Sequence, residues 1–353
     1  MTADLHPGSA APAGEPRPLR HAPTLEEVAE RAGVSRSTAS RAINGGLKVS
    51  PEAQAAVDAA VGELGYTPNR AARSLVTRRT DSVALVVPEP DEKVLTDPYF
   101  AGTLQGLSAA FADTDIQLIL LIARKGEDAH RTARYLRNGH VDGAVIVSHH
   151  RDDALDTVLA ESRLPCVFVG RPWAAPRPMQ YVDVDNHLGG RRATEHLISR
   201  GCRRIATIAG PLDMAAGVDR LTGWRQALAE AHLSDEAMVR GDFTSASGAA
   251  AMERLLEAHP DIDGIFAASD LMAAGALSVL ARRGRSVPDD IKVIGFDDLG
   301  VASSTAPPLT TMSNPVVEMS RVAGELLLDQ VSGQSSSFEP RIFGAEVVVR
   351  ESA

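Results

Sequence analysis

The chain has only two cysteines, Cys166 and Cys202, and they lack the spacing of a metal site or a disulfide framework. Cys166 lies inside an apolar run and reads as a buried thiol. No stretch of about 20 apolar residues occurs, so no membrane span is expected. Residues 1–23 are rich in Pro, Ala and Gly without a continuous apolar core. That composition predicts a disordered arm rather than a signal peptide, and the protein is expected to be cytoplasmic. Phosphate loops, dinucleotide fingerprints, metal clusters and Ser-His-Asp sets are all missing at useful spacing. The histidines are scattered, and the pair His149-His150 reads as a solvated loop. Neither a cofactor nor enzymatic chemistry is expected.

What the sequence does have is a division of charge. The net charge is −10 over 353 residues, long enough for two or three compact units. Residues 17–80 carry ten Lys and Arg against six Asp and Glu, so this stretch is +4 and the remainder −14. A small basic head on an acidic body suits local, salt-sensitive contact with nucleic acid while the body stays off phosphate.

The head spells out its helices. Thr24 stands as an N-cap with Glu27 three residues on, the spacing of a capping box. Leu25, Val28 and Ala29 form an apolar stripe, and Ala32-Gly33-Val34 permits a sharp turn. Ser35 can cap a second helix whose inner face carries Ala39 and Ile43. Its other face offers Arg36, Ser37 and Arg41, side chains able to hydrogen-bond base edges in a major groove. Ser50-Pro51-Glu52 opens a third helix with cap, first-turn proline and acid; Val57, Val61 and Leu64 line it and Gly65 ends it. The alternative is a small helical bundle with arginines on a solvated face.

The runs Thr24–Ala32, Gly33-Val34-Ser35, Ser40-Arg41, Ile43-Asn44 and Gly65-Tyr66-x-Pro68-Asn69-x-x-Ala72-Arg73-Ser74-Leu75 closely resemble the lac-repressor (LacI/GalR-type) family of bacterial transcription regulators. The likeness extends over nearly the whole chain after residue 23. It implies that residues 24–67 form a helix-turn-helix DNA-binding domain and that residues 68–80 form a hinge helix and linker. Two hinge helices would pair across a homodimer in the minor groove, and Leu75 would wedge between base pairs and kink the duplex. So short a helix does not persist alone in water. The resemblance also implies that Thr24, Ser35, Thr38, Asn44, Tyr66, Asn69 and Ala72 join Arg36, Ser37 and Arg41 at DNA. An ordinary interdomain linker is the other reading of 68–80.

From residue 81 onward, apolar runs alternate with helical patterns. Ser82–Val87, Ile116–Ile122, Gly143–Val147 and Cys166–Val169 are strand runs, with helices over Phe100–Ala112, 128–138 and 153–162. After Tyr181–Asn186 the rhythm restarts with strands at Arg204–Ala209, Gly264–Ala268 and Val293–Phe296, then a helix over Pro315–Gln330 and a strand over Ala345–Val349. Runs without polar alternation fit parallel strands covered on both faces. By themselves they predict two doubly wound lobes. The resemblance implies a periplasmic-binding-protein-like α/β core over 81–353, with one lobe from 82–184 plus 315–353 and the other from 185–314. Ligand is then expected between the lobes, at the carboxyl ends of the strands.

Candidate effector contacts, carried over from the resemblance, are Tyr99, Phe100, Arg171, Arg220, Phe243, Ser269 and Asp297. Arg220 leads, in Arg220-Leu221-Thr222-Gly223-Trp224, with Trp224 read as core. Asp297 is in the family signature Gly295-Phe296-Asp297-Asp298. An arginine and an ionised carboxylate facing one cleft suit a polyhydroxyl ligand. Phe100 is either ligand contact or helix core, Arg171 either a hydrogen-bonding fork or a solvated loop residue, and Phe243 either a stacking ring or a core plug. Ser269 is shorter than the family's usual Asn or Asp, and Asp270 reads as a helix cap. In the family, sugar-binding members often carry an aspartate at the place of Gly170, which is lacking here, while the purine-responsive member carries an arginine at the place of Met214; on balance a sugar is favoured over a purine.

The resulting expectation is a regulator, of repressor type, on a pseudo-palindromic double-stranded operator, controlled by a small effector, a sugar or else a purine-type co-repressor. Effector identity and the sign of its action stay open. A transport binding protein shares the two-lobed fold but not the helix-turn-helix.

Overall fold

The computed structural model describes residues 23–44, 49–67, 79–124, 127–151, 164–173, 179–334 and 338–353. The arm, the hinge segment with Asn69, Ala72 and Leu75, and the helix expected over 153–162 lie outside those residues. Two compact units divide at Arg79/Thr80.

In the first unit, α1 (Leu25–Arg31) begins with both halves of the expected capping box: the Thr24 N–H donates to Glu27 Oε2 at 2.6 Å and the Glu27 N–H to Thr24 Oγ1 at 3.3 Å. Gly33, at φ +66°, makes the turn. Ser35 then caps α2 (Arg36–Ile43) by accepting from the Thr38 N–H at 3.1 Å. Ser50 and Pro51 open α3 (Pro51–Leu64), and Gly65 closes it in the left-handed conformation. Val28, Ala29, Ala39, Ala42, Val57 and Ala60 form the shared core, with Ile43, Val61 and Leu64 packed at its margin. On α2, therefore, Ala42 takes the buried place expected of Ile43.

The second unit holds β1 (Ser82–Val87), α4 (Asp91–Thr96), α5 (Pro98–Phe111), β2 (Gln117–Ile122), α6 (Glu127–Arg137), β3 (Gly143–Val147), β4 (Cys166–Val169) and β5 (Gln180–Val184). It continues through α7 (Asn186–Ser199), β6 (Ile205–Ala209), α8 (Ala215–Glu230), β7 (Met238–Arg240), α9 (Ser245–Ala258), β8 (Gly264–Ala267), α10 (Asp270–Arg282) and β9 (Lys292–Asp297). Then come α11 (Val301–Ser304), β10 (Thr310–Ser313), α12 (Val316–Ser332), β11 (Arg341–Phe343) and β12 (Val347–Val348). The strands form two six-stranded sheets, ordered β11-β5-β4-β3-β1-β2 and β12-β10-β9-β8-β6-β7. All neighbours are parallel except the β10–β12 pair. Helices cover both faces, so β3 and β6 are buried at every residue, while edge strand β2 is partly exposed.

The expected assignment of 315–353 to the first lobe holds only in part. β11 does extend the first sheet, but the chain then crosses back, and Val347 and Val348 pair antiparallel with Met312 and Thr311 in the second. The Ser352 hydroxyl donates to the Val293 carbonyl at 2.6 Å. The outer edge of β10 carries backbone groups that need partners, and the returning tail supplies them. The chain thus passes between lobes three times, after β5, after β10 and after β11. Close crossing of α7 and α8 depends on glycine: a Cβ at Gly190 would collide with the Arg220 carbonyl, and one at Gly223 with that of His187.

Candidate functional site

On the head, Arg36, Ser37 and Arg41 are all exposed on α2, clear of the core. Arg36 Nε lies 2.5 Å from Glu26 Oε1, and Arg41 Nε donates to the Ser37 carbonyl at 3.1 Å. Thr38 is half-buried and Asn44 exposed; the Asn44 amide donates to the Ser40 carbonyl at 2.8 Å. Tyr66 packs against the core margin. Ser35 and Thr24 sit at the helix starts, where unsatisfied N–H groups favour phosphate.

In the body, a cleft between the lobes at the carboxyl ends of the strands gathers all seven candidate residues: Tyr99, Phe100, Arg171, Arg220, Phe243, Ser269 and Asp297. It contains about 800 Å³ of unfilled space, part of it open solvent. Strand ends deliver Asp183 and Asp297, the cap of α10 delivers Ser269, the first turn of α5 Tyr99 and the second turn of α8 Arg220.

Arg220 is buried in α8 and fully engaged. Its Nε donates to Asn186 Oδ1 at 2.8 Å, its Nη1 to the Ala268 carbonyl at 2.6 Å, and its Nη2 lies 3.6 Å from Asp297 Oδ1. Burial pulls the guanidinium below its usual range, opposed by Asp297 and Asp183. Asp297 also accepts from the Asn314 amide at 3.1 Å, and burial raises its carboxyl to about 6 against the pull of Arg220. Asp183 accepts from the Arg171 and Val184 N–H groups at 2.9 and 2.8 Å and is likewise pushed up to about 6 by burial. The Tyr99 hydroxyl is held well above its ordinary value by burial and by Asp183.

Three residues at this cleft have left-handed backbones without being glycine: Ser148 at φ 54°, Phe243 at 71° and Asp297 at 123°. Each such residue costs about 1–3 kcal/mol, and such strain concentrates where a side chain must be aimed at a ligand.

Some expectations need correction. Phe100 is 2% exposed and its ring meets Tyr99 edge-on, so it is mainly helix core. Arg171 is not a free loop residue: its Nη2 donates to both oxygens of Asp219 at 2.8 Å, across the lobes. Ser269, not Asp270, caps α10, accepting from the Met272 N–H at 3.2 Å. Asp270 is buried and accepts from the Asp298 N–H at 2.8 Å and the Thr311 hydroxyl at 2.5 Å. His149-His150 is buried rather than solvated: His149 meets the Phe168 ring edge-on within its own lobe, and His150 reaches Asp213 of the other. Trp224 is core as expected, and both cysteines are buried. Sequence alone did not single out Asp183, Asn186 and Asn314, although each lies within two residues of the carboxyl end of a strand at the cleft, the one signal that could have found them.

No group of His, Cys, Asp and Glu among the described residues could hold a metal, and no helix among them is long and apolar enough to cross a membrane.

A three-helix unit with a capped turn, joined in sequence to a two-lobed body whose cleft is lined by charged and apolar side chains, defines a DNA-binding regulator that carries a ligand chamber. Residues 24–69 match the model of bacterial regulatory proteins of the lacI family, and residues 194–353 that of the periplasmic binding protein-like domain. The chain is 49% identical over 336 residues to the HTH-type transcriptional regulator CelR of Thermobifida fusca, covering 94% of this chain and 99% of the relative. A solved CelR–cellobiose complex matches with a TM-score of 0.75 at 45% identity, covering 94% of this chain and 100% of that one. A lac repressor dimer bound to operator and an anti-inducer matches with a TM-score of 0.82 at 26% identity, over 94% and 99%. The chain belongs to the lacI family of bacterial regulatory proteins. It is a DNA-binding transcription regulator, and the relatives it matches are regulators rather than enzymes.

Proposed function

We propose that this protein is a cytoplasmic repressor that binds a pseudo-palindromic operator as a homodimer and responds to a glucose disaccharide of the cellobiose type held between its lobes. The observation that carries the reading is Arg220 facing Asp297 within a cleft shared by Asp183 and Asn186, in a chain 49% identical to CelR. A guanidinium and carboxylates face one space there, and hydroxyls can accept from the first and donate to the second in charge-assisted bonds. Lys93, Arg171 and Arg220 are matched by Asp97, Asp183 and Asp297 along the lining, a balance that favours a neutral sugar over a phosphorylated one. Phe243 offers an apolar ring for a pyranose face.

Arg36, Ser37 and Arg41 read bases from α2, Thr24, Ser35, Thr38, Asn44 and Tyr66 position the head, and Asn69, Ala72 and Leu75 act at the operator centre. Sugar that binds one lobe arrangement better than another shifts the populations of both, by the usual 1–3 kcal/mol of coupling, and so releases the operator. The test is a thermal-shift and calorimetric screen of cellobiose, maltose, lactose, ribose, glucose phosphate and hypoxanthine, followed by release from a DNA fragment selected from a random pool. Binding and release by cellobiose are expected. Failure to select any DNA, or a response only to hypoxanthine, overturns the reading.

A further inference from the structure

At one rim of the cleft, away from Arg220, the lobes are tied by groups that the sugar reading does not use. Glu89 follows β1 and His150 follows β3, both in the first lobe; Asp213 follows β6 in the second. His150 Nδ1 lies 2.8 Å from Asp213 Oδ2, and its Nε2 lies 3.3 Å from Glu89 Oε1. Glu89 is 5% exposed and also accepts from the Ser148 hydroxyl at 2.6 Å and from Lys93 Nζ at 2.7 Å. The Asp213 carbonyl accepts from the Arg151 N–H at 2.7 Å and from Trp173 Nε1 at 2.6 Å, both in the first lobe. The Asp213 carboxylate is thereby presented to the imidazole.

A neutral imidazole has one N–H and one lone pair, whereas two carboxylate oxygens facing its two nitrogens call for two N–H groups. Only the imidazolium satisfies both. Loss of the proton turns a lone pair toward one carboxylate, inside a buried setting.

We propose that Glu89, His150 and Asp213 form a clasp that holds the lobes together when His150 is protonated, so that protons and effector favour the same closed arrangement. The proposal rests on the cleft being the effector site, and concerns its regulation. The charged and titratable groups facing His150 are Glu89, Lys93 from α4, His149 and Arg151 beside it, and Asp213 from the other lobe. Glu89 and Asp213 hold the histidine above its ordinary value against burial, while His150 and Lys93 hold Glu89 below its own. Linkage then makes effector affinity fall as pH rises through the histidine's range.

Two measurements on the full-length protein test this separately from the sugar assignment. The first is thermal melting of wild type, His150→Gln, Asp213→Asn and the double variant at pH 6 and pH 8.5. A clasp gives single losses at pH 6 that are not additive and that shrink at pH 8.5; additive losses, or equal ones at both pH values, overturn it. The second is cellobiose titration over the same range. Wild type should bind about five-fold more weakly at pH 8.5, on the order of the linkage expected for one group, and His150→Gln should lose that part of the slope. An unchanged slope in His150→Gln overturns the proposal. Absence of cellobiose binding in every variant, with the melting coupling intact, rejects the sugar reading and keeps the clasp.

Discussion

Arg220 lies on the face of Phe296, its guanidinium carbon 3.5 Å from the ring centre, while its nitrogens reach Asn186, Ala268 and Asp297. The ring fixes the plane of the fork, and the fork fixes where a hydroxyl can sit. Lysine offers no plane to stack and no bidentate edge. Arg220→Lys should therefore weaken sugar binding by more than about tenfold while operator affinity without sugar stays within about two-fold, since the head is a separate unit. Calorimetry and a gel shift measure the two; near-normal sugar affinity would remove Arg220 from the site.

The crossing of α7 over α8 positions that arginine, and it has no room for a methyl group. Gly190→Ala should cost about 1–3 kcal/mol of stability through overpacking against the Arg220 backbone. Urea denaturation gives the number. An unchanged midpoint would show that the two helices separate freely.

Acidity should stabilise the body through its pocket carboxylates. Asp183 is raised from 3.8 to about 6, so its folded form binds a proton more readily than its unfolded form. A raised folded value gives stability that is present below the unfolded value and lost as pH climbs through about 6. Between pH 4.5 and 6.5 the wild type should lose about 1–2 kcal/mol more than Asp183→Asn does. Equal losses in urea titrations at the two pH values contradict this assignment.

Leu75 belongs to the segment read from sequence alone. Leu75→Ala should reduce operator affinity and bending together, because unstacking a base step is what permits the bend. Circular-permutation gel shifts report both. Bending that survives the substitution rejects the wedge.

The head was legible almost residue by residue, because caps and turns are local chemistry: Thr24, Gly33, Ser35, Ser50-Pro51 and Gly65 each do what their neighbours require. The rhythm of the body was legible for the same reason that its central strands are buried on both faces. Two short edge strands were not. β7 and β11 have three residues each, too few to show a period, whereas β12 falls inside the strand expected over Ala345–Val349. The return of the tail to the second lobe depends on an open edge at β10, which no local pattern records. His150 looked solvated because its burial comes from Asp213, 63 residues away. All seven cleft candidates did converge on one chamber, but the partner that occupies Arg171, Asp219 on α8, became visible only in three dimensions.

Three passages of the backbone between the lobes make a joint with a fixed axle. A single tether would let the halves swivel and drift in any direction; three side by side resist twisting and sliding and leave one easy swing. Whatever fills the chamber can then be reported elsewhere as an angle, with little lost to idle wobble.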